Sequence, residues 1–149
     1  NKKYVNSNKN LDLKQSGINS NIKFNLSNYK LNVFSSFLSS EKVGGADQLR
    51  RPEKTYGFNL YKKLNTYYFN NVDVNLKYNH YGKHFDTHSS TWATVEMDST
   101  DLVDLSLSKK FFSYDFYINF TNLLDENYQR PHGYSQNGRL LNIGFKLNY

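Results

Sequence analysis

His80, His84 and His88 stand four residues apart, with Asp86 between the last two. On a helix that spacing would set three imidazoles on one face, a suitable start for a divalent-cation site. The surrounding residues read instead as a strand running into a loop. In an extended chain four residues span ~13 Å, too far for shared coordination at ~2 Å. Without a fold-back of the chain Asp86 adds nothing, so these are expected to be rim and loop side chains, and no metal is implied. Covalent and phosphate chemistry find no better footing. Serines are abundant, but there is no Gly-x-Ser-x-Gly and no glycine-rich phosphate loop. Asp101, Asp104 and Asp115 fall at strand mouths or on polar strand faces, ordinary places for carboxylates. With no cysteine, disulfides and thiolate zinc sites are excluded. The chain reads as a non-enzyme with no resident cofactor.

The elements that carry these residues are strands. In the last stretch Phe116, Ile118 and Phe120 alternate with Tyr117, Asn119 and Thr121. After a polar loop, Leu141, Ile143, Phe145, Leu147 and Tyr149 alternate with Asn142, Gly144, Lys146 and Asn148. A period of two marks strands with one dry and one wet face. Earlier strands are expected over 11–26, 30–40, 54–64, 71–82 and 101–112. Among these, 71–82 alternates most cleanly: Val72, Val74, Leu76 and Tyr78 against Asp73, Asn75, Lys77 and Asn79. The strand at 30–40 is ambiguous, because Leu31, Val33 and Phe37 compete with Phe34 and Leu38 for the dry face.

The connections alternate short and long, with long loops at 41–52, 83–100 and 123–138. Tight turns at one end, long loops at the other and strands of ~10 residues or more are the pattern of an antiparallel up-and-down transmembrane β-barrel. A Greek-key sandwich has no reason to gather every long loop at one end. Aromatic residues make up 17% of the chain, 13 Tyr and 11 Phe among them, far too many for a disordered segment. A net charge of +6 raises the question of nucleic acid, but the lysines are scattered, and rings and lysines fall on opposite faces of the same strands. No nucleic-acid partner is expected. No apolar run approaches the ~18 residues of a spanning helix. An odd count of seven strands, with two open edges, suggests a section of a larger barrel. The chain opens Asn1-Lys2-Lys3 without a signal peptide, so a preceding segment is expected.

Two stretches go beyond pattern. Phe120-Thr121-Asn122-Leu123-Leu124-Asp125-Glu126-Asn127-Tyr128 is followed by Gly133-Tyr134, by Asn137-Gly138-Arg139 and by a strand ending on Tyr149. This resembles the closing signature of TonB-dependent outer-membrane receptors, with Asn122, Leu123, Asp125, Tyr128, Gly133, Gly138 and Arg139 at the signature positions. Leu49-Arg50-Arg51-Pro52 and Asp101-Leu102-Val103-Asp104-Leu105 are similar to the same family. The resemblance spans most of the chain from Gly17 onward and is most specific in the last third. It implies that residues 1–149 form the C-terminal section of a barrel of about 22 strands, with the plug domain and N-terminal strands outside this chain. The protein would sit in the outer membrane of a Gram-negative bacterium, in contact with its lipid. The barrel would engage the TonB–ExbB–ExbD complex through the plug and the barrel-assembly machinery through its last strand, where Phe145, Leu147 and Tyr149 would form the insertion signal. A scarce nutrient would be imported from the extracellular loops. The Arg-Arg-Pro and Gly-Tyr loops are most like the cobalamin branch, which implies substrate contacts at Arg50 and Tyr134. Siderophore and haem receptors share the closing signature. A guanidinium suits amide or phosphate oxygens, and a tyrosine offers a flat apolar face with a hydroxyl. From the residues alone, a solvated cation and a packed loop ring are the plainer readings, and Asn122, Asp125 and Tyr128 read as loop architecture. A passive pore or autotransporter barrel and a soluble carbohydrate-binding β-sandwich are the alternatives.

Overall fold

The computed structural model describes residues 13–42, 49–67 and 70–147. Among the described residues nine strands form: β1 (Leu13–Leu26), β2 (Tyr29–Lys42), β3 (Lys54–Leu64), β4 (Val72–Tyr81), β5 (His84–Thr87), β6 (Thr94–Met97), β7 (Thr100–Phe111), β8 (Tyr114–Thr121) and β9 (Leu140–Leu147). Seven make one antiparallel sheet in the order β1-β2-β3-β4-β7-β8-β9, and β5 and β6 pair separately. Every neighbour in the large sheet is also the next long strand in sequence, the up-and-down order. The hairpin β5–β6 lies inside the expected 83–100 loop. Its strands have only four residues each, too few for a period of two to stand out. Tyr149, one of the three expected insertion-signal residues, lies outside the described residues.

The register explains why the sheet has two unlike faces. One row of partners crosses all seven strands: Phe24, Leu31, Leu60, Leu76, Leu105, Phe120 and Leu141. The adjacent row reads Asn25, Lys30, Tyr61, Asn75, Ser106, Asn119 and Asn142. Directly paired residues share a face, so one side is apolar from edge to edge and the other polar. The apolar side meets no second layer. Among the described residues no apolar side chain is buried, and Ile18, Leu26, Phe145 and Ile143 are 65–73% exposed. A sandwich would bury these residues between its sheets. A barrel turns them outward to hydrocarbon.

The second strand's ambiguity is resolved by its neighbours. Leu31, Val33 and Phe37 join the outward row, opposite Leu60, Phe58 and Lys54. Phe34 faces the polar side opposite Gly57, and Leu38 lies opposite Gly17. A Cβ on Gly57 would run into the Tyr78 carbonyl oxygen and come within 2.9 Å of Phe34 Cζ. Tyr117 lies over Gly144 in the same way. Phe34 and Tyr117 thus take inner-face space that a glycine on the adjacent strand leaves open.

At the long-loop end the outward face turns polar. Tyr56 stacks on His80 with ring centroids 4.4 Å apart. Asp101 Oδ1 accepts the Tyr78 hydroxyl at 2.7 Å and lies 2.8 Å from His80 Nδ1. At the opposite end the Lys62 ammonium sits 4.6 Å over the Tyr29 ring, and on β8 the Tyr114 and Phe116 rings lie 6.1 Å apart. Rings with polar partners at both ends bound the apolar band, as at the two interfaces of a bilayer.

Candidate functional site

The long connections 43–53, 82–99 and 122–139 all leave the same end of the sheet, and two-residue turns at 27–28 and 112–113 serve the other end with the 65–71 turn. The second long loop is built on β5–β6, paired from His84↔Met97 to Thr87↔Thr94. Its tip is tied by His88, whose N–H bonds Ala93 O at 2.8 Å and whose Nδ1 accepts the N–H groups of Ser90 and Thr91 at 3.3 Å. Trp92 is thereby held at φ +62° and is 81% exposed. A bulky residue in the left-handed region persists only where its surroundings fix it.

The chain does fold back on Asp86, and it gathers hydrogen-bond donors there. Asp86 is 1% exposed, and its Oδ1 accepts Arg50 Nε–H at 2.7 Å and the Thr87 N–H at 2.7 Å. Oδ2 accepts the His132 N–H at 2.8 Å. Burial works against its ionisation, but the bonds from Arg50, His132 and Thr87 and the Arg50 charge outweigh it, holding the carboxyl at about 2. No cluster of three metal-ligating side chains occurs among the described residues. The histidines are separate: His80 pairs with Asp101, His84 Nδ1 lies 3.4 Å from Gly82 O, and His88 ties its hairpin tip.

Arg50 stands at φ +61°, its N–H on Phe85 O at 2.6 Å, and its side chain is 63% exposed. Sequence reasoning singled out Arg50 and missed its partner, which lies 36 positions away. Tyr134 is 65% exposed in the third loop, next to Gly133 at φ +83°. Gly133 is pressed against the second loop, where a Cβ would come within 2.9 Å of Ser89 Oγ. The His88 and His132 rings lie 4.7 Å apart, and the Arg130 guanidinium sits 4.2 Å over Tyr81. A cleft of about 450 Å³ between β6 and the third loop is lined by Glu96, Asp98, Glu126, Tyr128, Gln129 and His132, among others.

The signature positions tie the two ends of the third loop together. Asn122 is 6% exposed, takes φ +51°, accepts the Glu126 N–H at 2.9 Å and donates to Glu126 O at 2.8 Å and Asn137 O at 3.2 Å. Its own N–H bonds Asp104 Oδ1 at 3.0 Å. Asp125 accepts the Arg139 N–H at 2.7 Å, and a Cβ at Gly138 would meet Asp125 Oδ1 at the same distance. Arg139 Nε donates to Leu123 O at 2.9 Å, Leu123 N–H bonds Val103 O at 2.7 Å, and Gln136 N–H bonds Tyr128 O at 2.9 Å. Phe145 and Leu147 face outward on β9, opposite Phe116 and Tyr114.

A seven-stranded up-and-down sheet with an outward apolar face and all its long loops at one end is a section of a transmembrane β-barrel. Several solved structures share the fold, two of FpvA among them. FpvAI in complex with pyocin S2 superposes with a TM-score of 0.78 at 16% identity, over 91% of this chain and 20% of that one. P. aeruginosa FpvA bound to heterologous pyoverdines, as an iron complex, gives 0.76 at 15% identity, over 91% and 19%. The chain thus spans about a fifth of the length of these structures. No family model and no curated protein matches the sequence.

Proposed function

We propose that the chain is part of an outer-membrane receptor that imports a scarce nutrient by TonB-dependent, energy-coupled transport. The observation that carries this reading is the pairing of a bilayer-facing sheet with three mutually bonded long loops at one end, on a fold shared with FpvA. The closing signature in the third loop supports it, because a passive pore has no need of that spacing. Residues 1–149 are then the C-terminal barrel section. The plug that meets TonB–ExbB–ExbD belongs to the rest of the receptor, and β9 is the strand offered to the barrel-assembly machinery. The small-molecule ligand meets the long loops, with Tyr134 and the exposed side of Arg50 as this chain's contacts.

Two ligand classes have a specific observation behind them. FpvA is described with iron-bound pyoverdine, which favours a ferric chelate. The Arg50-Arg51-Pro52 and Gly133-Tyr134 loops resemble the cobalamin branch. Uptake by cells carrying the full receptor separates them: labelled cobalamin and labelled ferric chelates are offered with and without a protonophore. Accumulation of one class that collapses with the proton gradient is expected. Uptake that persists without the gradient would contradict energy coupling and favour a passive pore.

A further inference from the structure

Three loops distant in sequence meet on one buried carboxylate. Arg50 comes from the first long loop, Asp86 and Thr87 from the second and His132 from the third, and the three donor atoms converge on the carboxylate at 2.7–2.8 Å. The junction is reinforced on both sides. Leu49 bridges to Phe85 and Arg50 N–H bonds Phe85 O, joining the first loop to β5. Ser89 N–H lies 3.4 Å from His132 Nδ1, and Gly133 packs against Ser89, joining the hairpin tip to the third loop. A buried charge with this many donors is costly to disturb at any one point, since removing a donor leaves the carboxylate short of partners.

We propose that Asp86 is the positioning residue of the ligand-facing end, joining the three long loops into one body whose parts open and close together. Tyr134 and Trp92 are then carried at fixed spacing on that body, and Arg50 acts first as its latch. That the body faces ligand rests on the import reading above; the coupling itself is a property of the loops. The competing account has each loop held by its own strands and merely adjacent to the others.

Amide hydrogen exchange of the full receptor in detergent micelles separates the two, using wild type, Arg50→Ala, Asp86→Ala and Asp86→Asn. Coupling predicts that Arg50→Ala speeds exchange of the His132 amide at least about tenfold, although the Arg50 bonds run to the second loop. Asp86→Ala should speed the Arg50, Thr87 and His132 amides together. Asp86→Asn should restore part of the protection, because its carbonyl oxygen still accepts. The amides of β3 and β4 should keep wild-type rates, which shows that the barrel is intact. Unchanged protection at His132 in Arg50→Ala, with loss in Asp86→Ala, would overturn the proposal. Coupled exchange in a receptor that imports nothing would uphold it and count against the import reading alone.

Discussion

Burying a carboxylate is unfavourable unless donors surround it, and Asp86 shows how far the donors can win. Its carboxyl is held at about 2, against an ordinary value of 3.8. Because the folded value is depressed, the linked stabilisation, on the order of 2 kcal/mol, is complete above pH ~4 and drains away as pH falls toward 2. Exchange protection at Thr87 and His132, corrected for intrinsic rates, should therefore be flat from pH 7 to about 4.5 and then decline, and Asp86→Asn should abolish that decline. A glycine supplies a second test at this scale. Gly57→Val places a Cβ against the Tyr78 carbonyl and Phe34, and should lower stability by about 1–3 kcal/mol in urea unfolding from lipid vesicles. An unchanged midpoint would contradict the close packing described. The family resemblance pointed to Arg50 and Tyr134, whereas Asp86 was weighed only as a metal ligand beside the histidines and set aside. Its role depends on two short paired strands and on loops 36 and 46 positions away, which no local pattern encodes.

At the scale of elements, alternation was readable wherever a strand is long and its inner face polar. β4 and β7 follow the expected bounds closely because Asp, Asn, Ser and Lys hold every inner position from Asp73 to Asn79 and from Asp104 to Lys110. β2 was not readable alone, since Phe34 and Leu38 occupy inner positions vacated by Gly57 and Gly17 on the neighbouring strands. The same alternation makes a paired prediction on β9. Ile143→Arg, on the outward face, should cost about 2–4 kcal/mol of folding stability if it lies near the middle of the bilayer. Asn142→Arg, one residue away on the inner face, should change it by no more than about 0.5 kcal/mol. Urea titration of the full-length protein folded into vesicles reads both. Equal effects at the two sites would mean that the faces are not differently solvated.

For the molecule as a whole, the decisive feature is that a sheet of seven strands carries no buried apolar core among its described residues. Composition already leaned toward a barrel but left a soluble sandwich open. The alternating loop lengths favoured the barrel, and the unbroken apolar row from Phe24 to Leu141 gives the physical reason. What the sequence could not supply was the convergence of the long loops, because that depends on the curvature and register of all seven strands together.

The account stands on lipid, and not protein, covering the outward face, and nitroxide scanning along β9 tests that most directly. Single labels at residues 141–147 of the full-length protein in phospholipid vesicles would be probed with oxygen, which concentrates in hydrocarbon, and with a water-soluble nickel chelate. Oxygen access should peak at Leu141, Ile143, Phe145 and Leu147 and fall at Asn142, Gly144 and Lys146. Labels on the outward positions that are shielded from oxygen, or reached by the nickel chelate, would contradict it.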